Sequence, residues 1–154
     1  MDKKTHKIGE IILNFNQIEF YLKQIIIKYL NPDKKQERFY SQVLFNNSVI
    51  SFSGKIKLFK NLNKEEKWIT GKKLDELIRF VYYLNNVRNS LVHTENAVEL
   101  KKDEDGNIIE AHHIMDFFKS DGSLNILRLN EAYEKFNERF VKVEKELKDI
   151  YLLL

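Results

Sequence analysis

One proline, Pro32, and five glycines are the only strong backbone breaks in this chain of 154 residues. Proline lacks an amide hydrogen and fixes φ, while glycine lowers the stability of any regular element it enters. With so few breaks the chain favours long helices over a many-stranded sheet. The apolar pattern agrees. Ile8, Ile11, Ile12, Phe15, Ile18, Leu22, Ile26 and Tyr29 recur at helical spacing, so a first helix is predicted from about Thr5 to Leu30, stopped by Asn31-Pro32. Leu13, Phe20 and Ile27 recur every seven residues on its far side, the mark of a helix at the centre of a bundle or at a subunit interface. Phe52, Ile56, Phe59 and Leu62 define a shorter helix that Asn63-Lys64-Glu65-Glu66 is expected to break. A third runs from near Gly71 to the region of His93, and a last from about Asn130 to the C-terminus, with Leu129, Tyr133, Phe136, Phe140, Val143, Leu147, Tyr151 and Leu154 along one face. Residues 33–51 read as irregular or short helix.

Between the third and last helices the period changes. Ala97-Val98-Glu99-Leu100 and Ile108-Ile109-Glu110-Ala111 flank Asp103-Glu104-Asp105-Gly106-Asn107, whose Asp-Gly step between β-type segments signals a hairpin. A second turn is expected at Lys119-Ser120-Asp121-Gly122-Ser123. The predicted fold is mainly α, an up-and-down helical bundle of about four main helices with a β-hairpin inserted near residues 97–115. Residues 1–154 are expected to form a single domain.

Absent cysteines exclude disulfides, zinc–thiolate sites and thiol nucleophiles. No apolar run approaches a membrane span, and Met-Asp-Lys-Lys-Thr-His does not lead into a signal-peptide core, so a cytoplasmic protein without membrane contact is expected. The formal charge of +3 is as consistent with solubility as with a polyanionic partner.

The most informative segment is Arg88-Asn89-Ser90-Leu91-Val92-His93. At about 100° per residue, Leu74, Leu77, Ile78, Val81, Leu84 and Val92 share one helical face, with Asn85 and Arg88 in its middle. Asn89 lies at the edge, and His93 follows it one turn on. A guanidinium turned toward a core is unfavourable unless it is paired or faces a wet cleft. Glu19, about 40° from Phe15 on the first helix, is a second core-facing charge of the sign that could hold Arg88. Chemically, histidine suits proton transfer near neutral pH, and arginine offers a planar fork for phosphate. RNA carries its own nucleophile in the 2′-hydroxyl, so Arg88, Asn89 and His93 make a minimal ribonuclease set. One imidazole cannot easily serve both sides of phosphorus, and a symmetric dimer with two copies across one cleft removes that difficulty. The alternatives are a structural Arg88 locked to Glu19, and a His93 placed only to favour a helix C-terminus.

The spelling R-N-x-x-x-H resembles the R-x4-6-H signature of HEPN domains, compact helical bundles of prokaryotic toxin–antitoxin, phage-defence and CRISPR-associated systems. Arg88 matches the Arg, Asn89 the polar position beside it, and His93 the His. The resemblance implies a metal-independent endoribonuclease with catalytic Arg88 and His93, no cofactor, and a composite site at a homodimer interface that leaves cyclic-phosphate ends. Asn89, Glu19 and Asn85 are its expected supporting residues. RNA, a second copy and a cognate antitoxin or other inhibitor protein are the implied partners. HEPN toxins controlled by adenylylation often carry tyrosine two places after the His; Glu95 stands there, which speaks against that control. A non-catalytic HEPN module that binds nucleotide or RNA, or acts as an assembly adaptor, is the alternative. A helical bundle without a nucleic-acid role is the third, and it requires Glu19 to close Arg88 off from solvent.

Other constellations are weaker. His112 and His113 point to opposite faces of a strand, and Glu110 with His112 gives only two ligands on one face, so no metal site is expected. Trp68, Tyr82 and Tyr83 can stack bases, although aromatics at helical spacing usually fill cores. Lys55, Lys57, Lys60 and Lys64 read first as a solvated face and second as a phosphate-tracking stripe.

Overall fold

The computed structural model describes residues 3–93, 98–118 and 124–154, with the side chains of residues 3, 92, 93, 115–118, 124 and 125 outside that description. Eight elements follow in order: α1 (Lys3–Leu30), α2 (Lys34–Phe39), α3 (Phe52–Glu66), α4 (Lys72–His93), β1 (Val98–Lys102), β2 (Ile108–Phe118), β3 (Leu124–Arg128) and α5 (Leu129–Leu153). A short π-helical turn, Tyr40–Leu44, extends α2. The fold is thus mainly helical with an inserted antiparallel sheet, as the periodicity predicts. None of the described helices is long and apolar enough to cross a membrane.

The chain turns at Asn31, whose φ of 45° places it in the left-handed region, and Pro32 prevents α1 from continuing. Asp33 then opens α2 with a reciprocal cap, its carboxylate accepting from the Gln36 amide while the Gln36 side chain accepts from the Asp33 amide. This segment returns the chain so that α3 runs in the same sense as α1: Phe15 meets Phe52, Glu19 meets Lys55 and Tyr29 meets Trp68. Helix α5 is also parallel to α1, with Lys7 bonded to Asn130 and Gln17 to Glu144. Helix α4 opposes α5, since Lys73 pairs with Glu146 whereas Tyr83 lies beneath Arg139.

One cluster unites the four long helices. Ile11, Phe15, Ile18, Leu22 and Ile25 of α1 meet Ile56 and Phe59 of α3, Leu77, Val81, Leu84 and Val87 of α4, and Phe136, Val143 and Leu147 of α5. Helix α4 touches both α1 and α5, so its buried arc is wider than one stripe and takes in Val87. The heptad stripe of α1 divides: Ile27 is covered by Phe45, while Leu13 and Phe20 are exposed. Trp68 packs as a core aromatic against Phe59 and Tyr29.

Helix α3 does not break at Asn63. The asparagine is buried, and its carboxamide clips the next turn of chain, donating to the Ile69 carbonyl at 2.8 Å and accepting from the Ile69 amide at 3.0 Å. Truncating it strands both backbone groups, so Asn63→Ala is expected to destabilise the protein by about 2–3 kcal/mol. Urea denaturation reads that change as a lower midpoint with an unchanged slope.

The insertion holds three strands, ordered β1-β2-β3 and antiparallel throughout. Its first turn is built as the Asp-Gly signal requires: Gly106 takes a φ of 85°, and the Asp103 carboxylate accepts from the amides of Asp105 and Asn107. Those bonds hold the Asp103 carboxyl below the usual carboxylate range. The second expected turn, residues 119–123, lies outside the described residues. Strands β2 and β3 flank it, pairing Ile114 with Arg128 through Phe118 with Leu124. Leu127 on β3 packs against the helical core, and Arg128 leads straight into α5.

Candidate functional site

Antiparallel packing brings the last turns of α4 to the end of the bundle where α1 and α5 begin. Arg88 lies there, half-buried, with its Cζ 5.9 Å from the centroid of the Phe15 ring. Its Nη1 donates to the Asn89 carboxamide at 3.0 Å, while its Nε is enclosed and has no hydrogen-bond partner among the described residues. No described carboxylate pairs with it. The aromatic face returns part of the solvation a cation loses there. The remaining guanidinium donors are aimed by two contacts, one to an amide oxygen and one to a ring, neither of which cancels the charge.

The expected partnership with Glu19 is corrected. Glu19 pairs instead with Lys55 of α3, Nζ to Oε1 at 2.5 Å, and the same ammonium donates to Asn47 at 2.8 Å. Two displacements explain it. Arg88 sits over Phe15, and Glu19 lies one turn, about 6 Å, further along α1. Glu19 also rotates by about 40° from Phe15, which carries it to the side that α3 occupies. Lys55 is correspondingly not a solvated lysine; it is 1% exposed, while Lys57, Lys60 and Lys64 are exposed. A signal for this existed in the chain, because Lys55 falls three residues after Phe52 and four before Phe59, on the apolar face of α3.

Asn89 is half-buried, and its carboxamide oxygen accepts from Arg88. Asn85 is half-buried on the preceding turn of the same helix. Ser90, between the motif residues, is buried. His93 ends α4, one turn beyond Asn89; its side chain lies outside the described residues. Tyr83, about three turns before the motif's end, has its hydroxyl pushed above the usual phenol range by burial, against the opposing influence of Arg139, which lies 3.7 Å from its ring centroid.

On β2, His112 bonds Glu110 at 3.3 Å, and the adjacent His113 stands opposite Val98 in the ladder. Among the described residues no third histidine or carboxylate joins them in a metal-binding group. The site the chain does assemble is a half-exposed arginine braced by Asn89 and Phe15, on a helix that ends in histidine. No protein-family model, curated protein or solved structure matches the chain.

Proposed function

We propose that the protein is a metal-independent endoribonuclease of HEPN type, acting as a homodimer. The observation that supports this best is Arg88: a guanidinium at the surface of the core, oriented by Asn89 and Phe15 yet unneutralised by any described carboxylate. A structural arginine would be expected to find a carboxylate in so acidic and basic a sequence, and Glu19, the nearest acid in the pattern, is taken by Lys55. An unneutralised fork of donors is suited to a phosphodiester and to the charge that grows on it during transfer.

In this mechanism His93 removes the 2′-hydroxyl proton, the 2′ oxygen attacks phosphorus, and the bond from phosphorus to the 5′ oxygen breaks. The leaving oxygen takes a proton from the imidazolium of the second copy. A 2′,3′-cyclic phosphate and a 5′-hydroxyl result, and no redox partner is required. Arg88 holds the non-bridging oxygens, and Asn89 fixes the guanidinium plane. Leu13 and Phe20 on α1, with Leu152 and Leu153 at the end of α5, are exposed apolar side chains suited to a second copy. The role of toxin or phage-defence effector, with a cognate inhibitor, follows from the resemblance of the motif.

The test is cleavage of single-stranded RNA in EDTA. Activity is expected in the wild type and to fall by about 10³ in both Arg88→Ala and His93→Ala. Undiminished cleavage by both variants overturns the site. RNA binding without cleavage by the wild type replaces the enzyme with a binding module.

A further inference from the structure

A second polar feature lies at the same end of the bundle. The start of α1, strand β2 and the junction of β3 with α5 enclose a cleft of about 380 Å³. Lys4, Lys7, His112, His113, Arg128 and Asn130 line it, and among the described residues no acidic side chain does. Two details favour an anion. Helix α5 begins at this cleft, where Leu129 and Asn130 line it, and its first amides have no side-chain cap. Lys7 is positioned from two sides, donating to Asn130 at 2.7 Å and lying over the Tyr133 ring at 5.1 Å. Two acids stand behind the basic wall, Glu99 paired with Arg128 at 3.0 Å and Glu110 bonded to His112. Both pairs are substantially exposed, and such pairs exchange readily for a better anion.

The cleft is close to the motif in chain terms. Helix α4 ends at His93 and β1 begins at Val98, which pairs with His113. Five residues span at most about 18 Å, a separation that one extended RNA strand can bridge. We propose that this cleft is a phosphate-binding subsite that holds RNA at a phosphodiester a few nucleotides from the one at Arg88. The proposal takes the RNA substrate from the function above but not the cleavage chemistry.

The experiment measures anisotropy of a fluorescein-labelled single-stranded 2′-O-methyl RNA, which keeps the phosphates and lacks the nucleophile, across a salt series. Lys4→Gln/Lys7→Gln is expected to weaken binding about tenfold and to flatten the slope of log K against log salt by about 1.4, from ~0.7 per phosphate contact. Arg128→Gln, on a different element, is expected to weaken binding about threefold and to serve if the lysine pair fails to fold. Lys57→Gln/Lys60→Gln on α3 should change neither quantity. Wild-type slopes in the cleft variants, or an equal loss in the α3 variant, overturn the proposal. So does pyrophosphate binding without RNA binding, which assigns the cleft to a free phosphate compound. Reduced affinity in the cleft variants with no cleavage by the wild type upholds the subsite and removes only the nuclease chemistry.

Discussion

Replacing Lys55 with alanine is expected to destabilise the protein by about 3–5 kcal/mol, the largest effect of any single substitution outside the apolar core. The ammonium is enclosed, with a side chain 2% exposed, and it holds both the Glu19 carboxylate and the Asn47 carboxamide. Alanine removes a long buried stem as well as the charge, so a cavity adds to the loss of the pair. The two partners differ in their access to water. Glu19 retains 18% exposure, so a carboxylate left alone can still be partly hydrated, whereas an ammonium left alone in the core cannot. Glu19→Ala is therefore expected to cost about as much as Lys55→Ala despite removing a smaller side chain. Lys55→Met with Glu19→Gln keeps the stem volume, discharges both positions and should recover most of the lost stability, by about 2 kcal/mol or more over the single changes. Urea denaturation of the four proteins checks this. A Lys55→Ala variant within about 0.5 kcal/mol of wild type would show that the pair is dispensable.

That pair also marks where the sequence stopped being readable. Helical period placed α1, α4 and α5 within a few residues of their observed ends, because each has a long stripe, and Asn31-Pro32 adds a chemical stop to α1. Phe39 to Phe45 stayed ambiguous, since a π-turn shifts the period and blurs any stripe. Strand β3 was missed for a related reason. The segment Leu124–Arg128 is short and runs without a break into Leu129, already part of the α5 stripe. Asn63 looked like a breaker because its hydrogen bonds to Ile69 are tertiary in character and leave no local trace. For Glu19 the period correctly gave a core-facing charge; it could not say which of the neighbouring helices would meet it. Arg88 was legible in its placement and misread in its partner. A stripe fixes the angle of a side chain about its own helix, while pairing depends on the height and order of the helices around it.

Arg88 therefore carries the second large expectation, in which activity and stability separate. Arg88→Lys keeps a positive charge but exchanges a planar fork for a compact, strongly hydrated point donor. The bond to Asn89 and the face-on contact with Phe15 depend on the guanidinium, so the ammonium loses its fixed direction. Transition-state stabilisation by an aimed donor is commonly worth a factor of about 10² to 10³ in kcat. Arg88→Lys is expected to lower kcat about 10²-fold with a KM change of only about threefold, because attraction to the RNA survives while alignment does not. Arg88→Ala is expected to lower kcat by about 10³ and raise KM as well, since the charge itself is gone. Stability should move the other way from a buried ion pair. No described carboxylate depends on Arg88, and an enclosed Nε without a partner disappears with it, so the alanine variant should unfold within about 1 kcal/mol of wild type. Single-turnover cleavage in EDTA beside urea denaturation of the same samples decides the matter. A variant that loses about 3 kcal/mol of stability while cleaving RNA at the wild-type rate would make Arg88 a fold residue, since a group that acts on phosphate must affect turnover before it affects unfolding.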